Sequence, residues 1–314
     1  MVIERFLTYI ESERRYSPLT LRNYKRDLEL FLQWRGVESS EEFDPCAISH
    51  HTIREWIVDR MDSGVVAATT LNRELSTLRS FFRWALSNGI IPSNPTQGIH
   101  ALKCTKKLPT FIAPSKMNMV NQHSLDKSDS AEFRDLRDGL IILLFYATGI
   151  RSAELVAINV DDFSDDFRTL KVNGKGGKQR MIPIIESVRL IILQYISKLN
   201  EQNICISPNF PLFLSKAGKR ISANMVYRIV RHDLSEAGVQ GRKSPHVLRH
   251  TFATQLLNEG ADMREIQELL GHSSLQATQL YTHNSISALC KSYQSAHPRG
   301  GGGGESDEKD NGGE

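Results

Sequence analysis

One stretch constrains the fold more than any other: Leu71, Leu75, Leu78, Phe82 and Leu86 recur at helical spacing and stop before Gly89. Apolar residues three and four apart line one face of a helix, and other elements must cover that face. Gly89 fits the position just past a helix end, where a positive φ is wanted. A second stripe, Asn72, Ser76, Arg79 and Arg83, runs along the same helix and contains no acid. Between Gly64 and Leu108 there are six basic residues, Arg73, Arg79, Arg83, Lys103, Lys106 and Lys107, against one acid, Glu74. Such a stripe suits a polyanion groove and equally a solvated helix face; charge alone leaves both open.

Other helical stripes precede it. Leu21, Tyr24, Leu28, Phe31 and Leu32 follow a Ser17-Pro18 start signal, and Ile53, Trp56, Ile57 and Met61 form another. The first hundred residues therefore predict a small helical domain, 1–100. Pro92, Pro95, Pro109 and Pro114, with Lys106 and Lys107, then punctuate a stretch without periodicity, which predicts a linker over 101–113. A second domain is expected over 114–298. It opens with helices, of which Leu140 to Thr148 reads as a buried one. Leu170 and Val172, a Gly174-Lys175-Gly176-Gly177 turn, and Met181 to Ile184 then predict a hairpin. The remainder is again helical. The expected class is mainly α with a small β-hairpin, α+β.

Residues 299–314 are Gly-rich and acidic, with two basic and five acidic residues, and are expected to be a disordered tail. The whole chain has a net charge of +3, so the remainder carries +6. No apolar run approaches the ~20 residues that span a bilayer. The N-terminal stretch Met1 to Tyr9 carries Glu4 and Arg5, unlike a signal peptide. Cys46, Cys104, Cys205 and Cys290 lie far apart, which suits free thiols in a reducing compartment. A cytoplasmic protein without membrane contact is expected.

The candidate chemistry lies in the second domain. Ser244 and Pro245 read as an N-cap and a first-turn residue. They place His246, Arg249 and His250 on one face near a helix N-terminus, where an anion is favoured. A polar surface face has the same pattern. His246 and His250 also have metal-ligand spacing, but the Arg249 guanidinium between them repels a cation, and no H-E-x-x-H occurs. Gly271 fits a helix C-cap ahead of His272, and Tyr281 follows nine residues on. Arg151 comes directly after the buried helix, with Glu154 one turn on as its natural partner; a structural ion pair satisfies that pattern too. Lys175 sits at the hairpin tip, where a solvated lysine is equally at home. The glycines around it do not form a G-x-x-x-x-G-K-[ST] loop.

Taken together and in this order, these motifs resemble the tyrosine recombinases, the integrase family of site-specific recombinases. They are Thr148-Gly149-Ile150-Arg151 with Glu154-Leu155, Lys175 on a hairpin, His246-x-x-Arg249, Gly271-His272 and Tyr281. The resemblance covers nearly everything from Ile3 to Pro298 and is greatest to the two-domain bacterial Xer subgroup. Phe111 to Met117 is less typical of that subgroup.

The residues fit phosphoryl transfer on their own terms. Tyr281 supplies a nucleophile, and Arg151 and Arg249 supply forked donors for non-bridging oxygens. A phenol with a pKa near 10 costs about 4 kcal/mol to ionise at pH 7, so cationic neighbours or a base must assist. No carboxylate cluster suggests Mg²⁺, so no metal or other cofactor is expected. The resemblance implies that Lys175 protonates the departing 5′ oxygen, His246 moves a proton and His272 hydrogen-bonds the transition state. It implies an N-terminal core-binding domain reading DNA through Asn72, Ser76, Arg79 and Arg83. It also implies a cyclic tetramer of self or a paralogous recombinase, acting through a four-way junction on double-stranded DNA with a specific site. Ile286, Leu289, Cys290 and Tyr293 make an apolar stripe that suits a helix donated to the next subunit, or one packed on its own domain. The Xer likeness further implies a bacterial, nucleoid-associated role in chromosome dimer resolution, partition and cell division, with a septal DNA translocase as a partner of that role. Movement of a mobile element is the other role open to the family. Rival readings are a type IB topoisomerase and a catalytically silent DNA-binding module.

Overall fold

A computed structural model describes residues 1–37, 41–64, 66–104, 111–128, 132–174, 177–202, 204 and 207–271. Contacts divide the chain into two compact units, Met1–Lys107 and Leu108–Glu314.

The first unit contains helices α1 (Val2–Ser12), α2 (Pro18–Trp34), α3 (His50–Asp62) and α4 (Ala68–Ser87). Ser17 caps α2 through its side chain, which accepts from the Thr20 N–H at 3.2 Å, with Pro18 in the first turn. Phe6, Phe31, Trp56, Phe81 and Phe82 are fully buried and form an aromatic core. The buried face of α4 is broader than the leucine repeat implies, because Phe81, Trp84 and Ala85 are buried as well. Leu86 and Met61, read from the sequence as inward, are 40% and 50% exposed. Each lies in the last turn of its helix, and on α4 the buried place is taken by Ala85.

Charge pairs lock the helices. Buried Asp27 accepts from Arg73 and from the Thr77 hydroxyl, and buried Glu74 accepts from Arg60 at 2.9 Å. Arg73, the first base of the basic segment, is thus committed to α2. A buried carboxylate without such a partner would cost several kcal/mol.

The second unit is organised around α6 (Phe133–Thr148). Every residue of it from Leu136 to Thr148 is buried, as expected of a helix that is apolar on all sides. Helices α5 (Pro114–Ser128), α8 (Glu186–Glu201), α9 (Ala223–Glu236) and α10 (Pro245–Asn258) pack on it. Its one buried base, Arg137, is satisfied by Asp138 at 2.6 Å and the Leu214 carbonyl at 2.9 Å. The helix ends on Gly149 at φ +59°. A Cβ there would lie 2.4 Å from the Phe252 ring, so only glycine fits. Short α7 (Ser152–Ala157) follows at once, with Arg151 at its N-cap position.

Strands β1 (Thr169–Asn173) and β2 (Gln179–Pro183) pair antiparallel, with Leu170 opposite Ile182 and Val172 opposite Arg180. Leu170, Val172, Ile182 and Arg180 share the buried face, while Met181 points outward. Helix α11 (Met263–Leu270) is the last described element, and Gly271 caps it at φ +68°. Among the described residues this is the mainly helical α+β architecture with a small β-hairpin that the sequence led one to expect.

Candidate active site

Three arginines from three elements converge on the C-terminal end of α11. Arg180 from β2 donates Nε–H to the Leu269 carbonyl at 2.8 Å. Arg249 from α10 donates Nη2–H to the Leu270 carbonyl at 2.6 Å, and Arg151 donates Nη2–H to the Gly271 carbonyl at 2.9 Å. The last carbonyls of a helix have no partner within it and carry its negative dipole end. Here three in succession each receive a guanidinium. Gly271 is required by this crowding as well as by its φ, since a Cβ would stand 3.1 Å from Arg180 Nη1 and 3.5 Å from Arg151 Nη1.

Glu154 ties two of the arginines together. Its Oε1 accepts from Arg151 Nη1 at 2.8 Å and Arg180 Nη1 at 3.0 Å. Its Oε2 accepts from Arg180 Nη2 and the Arg151 backbone N–H, both at 2.8 Å. Burial pushes this carboxyl up, but the hydrogen bonds from Arg180 and Arg151 outweigh it and hold the pKa at about 2. Arg249 also donates to the Gly149 carbonyl, joining the end of α6 to the end of α11. Burial, and then repulsion from Arg151 and Arg180, brings Arg249 down to about 10, which still leaves it charged at neutral pH. Three arginines against one carboxylate leave this centre with an excess of two positive charges. Arg151, a third exposed at its side chain, is its accessible member. Such a centre attracts a phosphate and stabilises the further charge that develops when the phosphate is attacked.

The structure thus brings Arg151 and Arg249 together, immediately before His272. His246 lies exposed in the first turn of α10, one turn from buried Arg249. Ser244 occupies the N-cap position, but its side chain makes no cap hydrogen bond, and Pro245 alone marks the helix start. Lys175, His272, Tyr281 and the stripe Ile286 to Tyr293 lie outside the described residues, as does the tail. Arg180 was missed by sequence reasoning. The signal was present: it stands two residues before Ile182 and so shares the apolar face of the strand, an unusual place for an arginine.

The stripe on α4 divides in two. Asn72 clamps Leu102, donating to its carbonyl at 3.0 Å and accepting its N–H at 2.8 Å, and Arg79 donates to the Ile99 carbonyl at 2.5 Å. These two side chains fasten residues 99–102 to the helix, so the start of the stretch read as linker belongs with the first unit. Ser76 and Arg83 face outward, with the Ser76 hydroxyl bonded to the Asn72 carbonyl.

Among the described residues, one group has metal-ligand geometry: His232, Asp233 and Glu236, with ligand atoms within 4.8 Å of one another. The Lys127 ammonium already bridges its carboxylates, 2.8 Å from Asp233 and 3.1 Å from Glu236. No described helix is long and apolar enough to cross a membrane.

Residues 113–287 match the phage integrase family, and residues 3–89 match the phage integrase N-terminal SAM-like domain. The chain is 39% identical over 300 residues to tyrosine recombinase XerC of Thermodesulfovibrio yellowstonii, covering 94% of this chain and 96% of that protein. It is 35% identical to XerC of Escherichia coli over 297 residues and 33% identical to XerC of Bacillus subtilis over 305, covering 95% of this chain and 96% of each relative. Among solved structures, XerH bound to its difH substrate covers 91% of this chain and 83% of its own, at a TM-score of 0.62 and 21% identity. A lambda integrase dimer bound to a core site covers 90% and 97%, at 0.64 and 21%. These two likenesses concern the fold. With matched models over both units and relatives above 30% identity along nearly its whole length, the chain belongs to the phage integrase family, the tyrosine site-specific recombinases.

Proposed function

We propose that the arginine centre grips the scissile phosphate of double-stranded DNA at a specific site while Tyr281 attacks it. The observation that carries this reading is the pairing of Arg151 and Arg249 at the carbonyl end of α11, with two positive charges in excess, directly before His272. The Tyr281 oxygen forms a bond to phosphorus, and the bond to the 5′ oxygen breaks. That oxygen leaves with a proton from Lys175, while His246 assists proton transfer and His272 donates to the phosphate. Arg151 and Arg249 hold the non-bridging oxygens and do the work that metal ions do in other phosphoryl-transfer sites. The phosphotyrosine keeps the bond energy, so a 5′ hydroxyl from a partner strand reverses the step without ATP.

The helical domain of residues 1–100, with the start of the following stretch tied to it, reads as the core-binding domain and residues 114–298 as the catalytic one. Outward-facing Ser76 and Arg83 are its DNA contacts on α4, and Asn72 and Arg79 hold the neighbouring chain in place. The DNA complexes formed by XerH and lambda integrase support a duplex partner. Strand exchange through a four-way junction needs a ring of four subunits, self or paralogous, with the stripe Ile286 to Tyr293 reaching the next one. The likeness to XerC proteins over nearly the full chain favours chromosome dimer resolution in a bacterial cytoplasm, beside the nucleoid, over element mobility. A septal DNA translocase is the partner such a role calls for.

Covalent trapping tests the proposal. DNA recovered from SDS-resistant adducts in cells identifies the site. On that site Tyr281→Phe should bind normally and form no adduct; adducts from the Phe variant would overturn the assignment.

A further inference from the structure

The hairpin that carries Lys175 and the turn that leads into His272 are joined by one side chain, Arg180. It is 8% exposed, lies on the inner face of β2 and is five residues from Lys175 in sequence. Its fork reaches both oxygens of Glu154, and its Nε–H reaches the Leu269 carbonyl. Glu154 in turn fixes Arg151 at the guanidinium and at the backbone. A carboxylate that accepts four donors from two arginines has one position open to it. Arg151 is a third exposed: among the described residues its guanidinium is held by Glu154 and by the Gly271 carbonyl, which belongs to the same turn that Arg180 holds two residues earlier. We infer that Arg180 is a positioning residue for the cleavage reaction. It sets Arg151 through Glu154, and it sets the approach to His272 through Leu269, while tying both to the strand beside Lys175.

The geometry also says how Arg180 acts. Its side chain is 7% exposed and its fork faces Glu154, so it contributes alignment, with the more exposed Arg151 as the group that meets the phosphate. A misplacement of about 1 Å in such a group costs on the order of 10²-fold in rate. Lysine cannot replace it, because one ammonium cannot span a carboxylate and a backbone carbonyl in the plane of a fork. The inference rests on the reading of Arg151 as a phosphate ligand, so its test must separate the two.

A neutral methylphosphonate at the scissile position lacks one charged non-bridging oxygen and relieves the need for an arginine there. A group that matters only for folding gains nothing from that change. The measurement is single-turnover adduct formation by the full chain on phosphodiester and methylphosphonate forms of the recovered site, together with DNA affinity and thermal unfolding. Arg151→Ala is the reference. Arg180→Ala should bind DNA about as well as the unaltered protein, cleave the phosphodiester on the order of 10²-fold slower, and lose most of that defect on the methylphosphonate, as Arg151→Ala does. If Arg180→Ala does not fold, Arg180→Lys carries the same test and should show the same relief. Equal defects on both substrates for the folded Arg180 variant, with relief for Arg151→Ala, overturn the positioning role alone. Absence of relief for Arg151→Ala overturns the phosphate role of Arg151, and the inference with it.

Discussion

Glu154 holds Arg151 at two points, accepting from its guanidinium and from its own backbone N–H, both at 2.8 Å. The bonds that aim the arginine therefore also stabilise the fold. The Glu154 carboxyl titrates near its ordinary 4.5 in an unfolded chain and at about 2 in this environment. A depressed folded value means that the stabilisation is complete above pH 4.5 and is lost as pH falls toward 2. The gap corresponds to about 3 kcal/mol. Urea unfolding of the second unit should show this loss, and Glu154→Gln should be about 3 kcal/mol less stable at pH 7, with a flatter profile in the acid window. An unchanged acid limb in Glu154→Gln would show that other groups control it.

On α4, outward-facing Arg83 and inward-tied Asn72 should separate cleanly. Arg83→Ala should reduce the salt dependence of DNA binding by about one unit of log–log slope and leave stability unchanged. Asn72→Ala should destabilise the first unit by about 1–3 kcal/mol, because both backbone groups of Leu102 lose their partner. A full slope in Arg83→Ala would make that arginine a merely solvated one.

If Lys175 is the leaving-group acid, Lys175→Ala should slow cleavage by roughly 10²–10⁴-fold. A 5′-bridging sulfur leaves without a proton, so the variant should recover most of its rate on that substrate, whereas His246→Ala should recover much less. Equal Lys175→Ala defects on oxygen and sulfur would reduce Lys175 to a phosphate-binding charge.

Cleavage should persist in EDTA, because Arg151 and Arg249 supply the charge a metal would otherwise bring. Loss in EDTA with recovery on adding Mg²⁺ would refute this.

The helices, the hairpin and the αL cap at Gly271 were legible because each depends on local spacing and a few special residues. Arg151, Glu154 and Arg249 were legible as short motifs, and the family resemblance supplied their order. The convergence on three successive carbonyls was not legible. It joins Arg249, Arg180 and Arg151 to carbonyls 21, 89 and 120 residues away, and carbonyls have no letter in a sequence. Arg180 went unread because turn residues drew notice to the hairpin tip rather than to its inner face. On α4, spacing placed Asn72 and Arg79 beside Arg83, but could not show the returning segment 99–102 that they hold.

The carbonyl fringe at the end of α11 also bears on how such chains change over generations. Arg151, Arg180 and Arg249 each donate to a backbone carbonyl at the end of α11 that has no other partner among the described residues, and Glu154 offsets their charge. A descendant that had given up cutting DNA would still lose stability by losing any of these four. Selection for a folded protein alone would keep them, so their persistence in a lineage testifies first to an intact scaffold. Evidence that the chemistry survives has to be sought in residues the scaffold does not need.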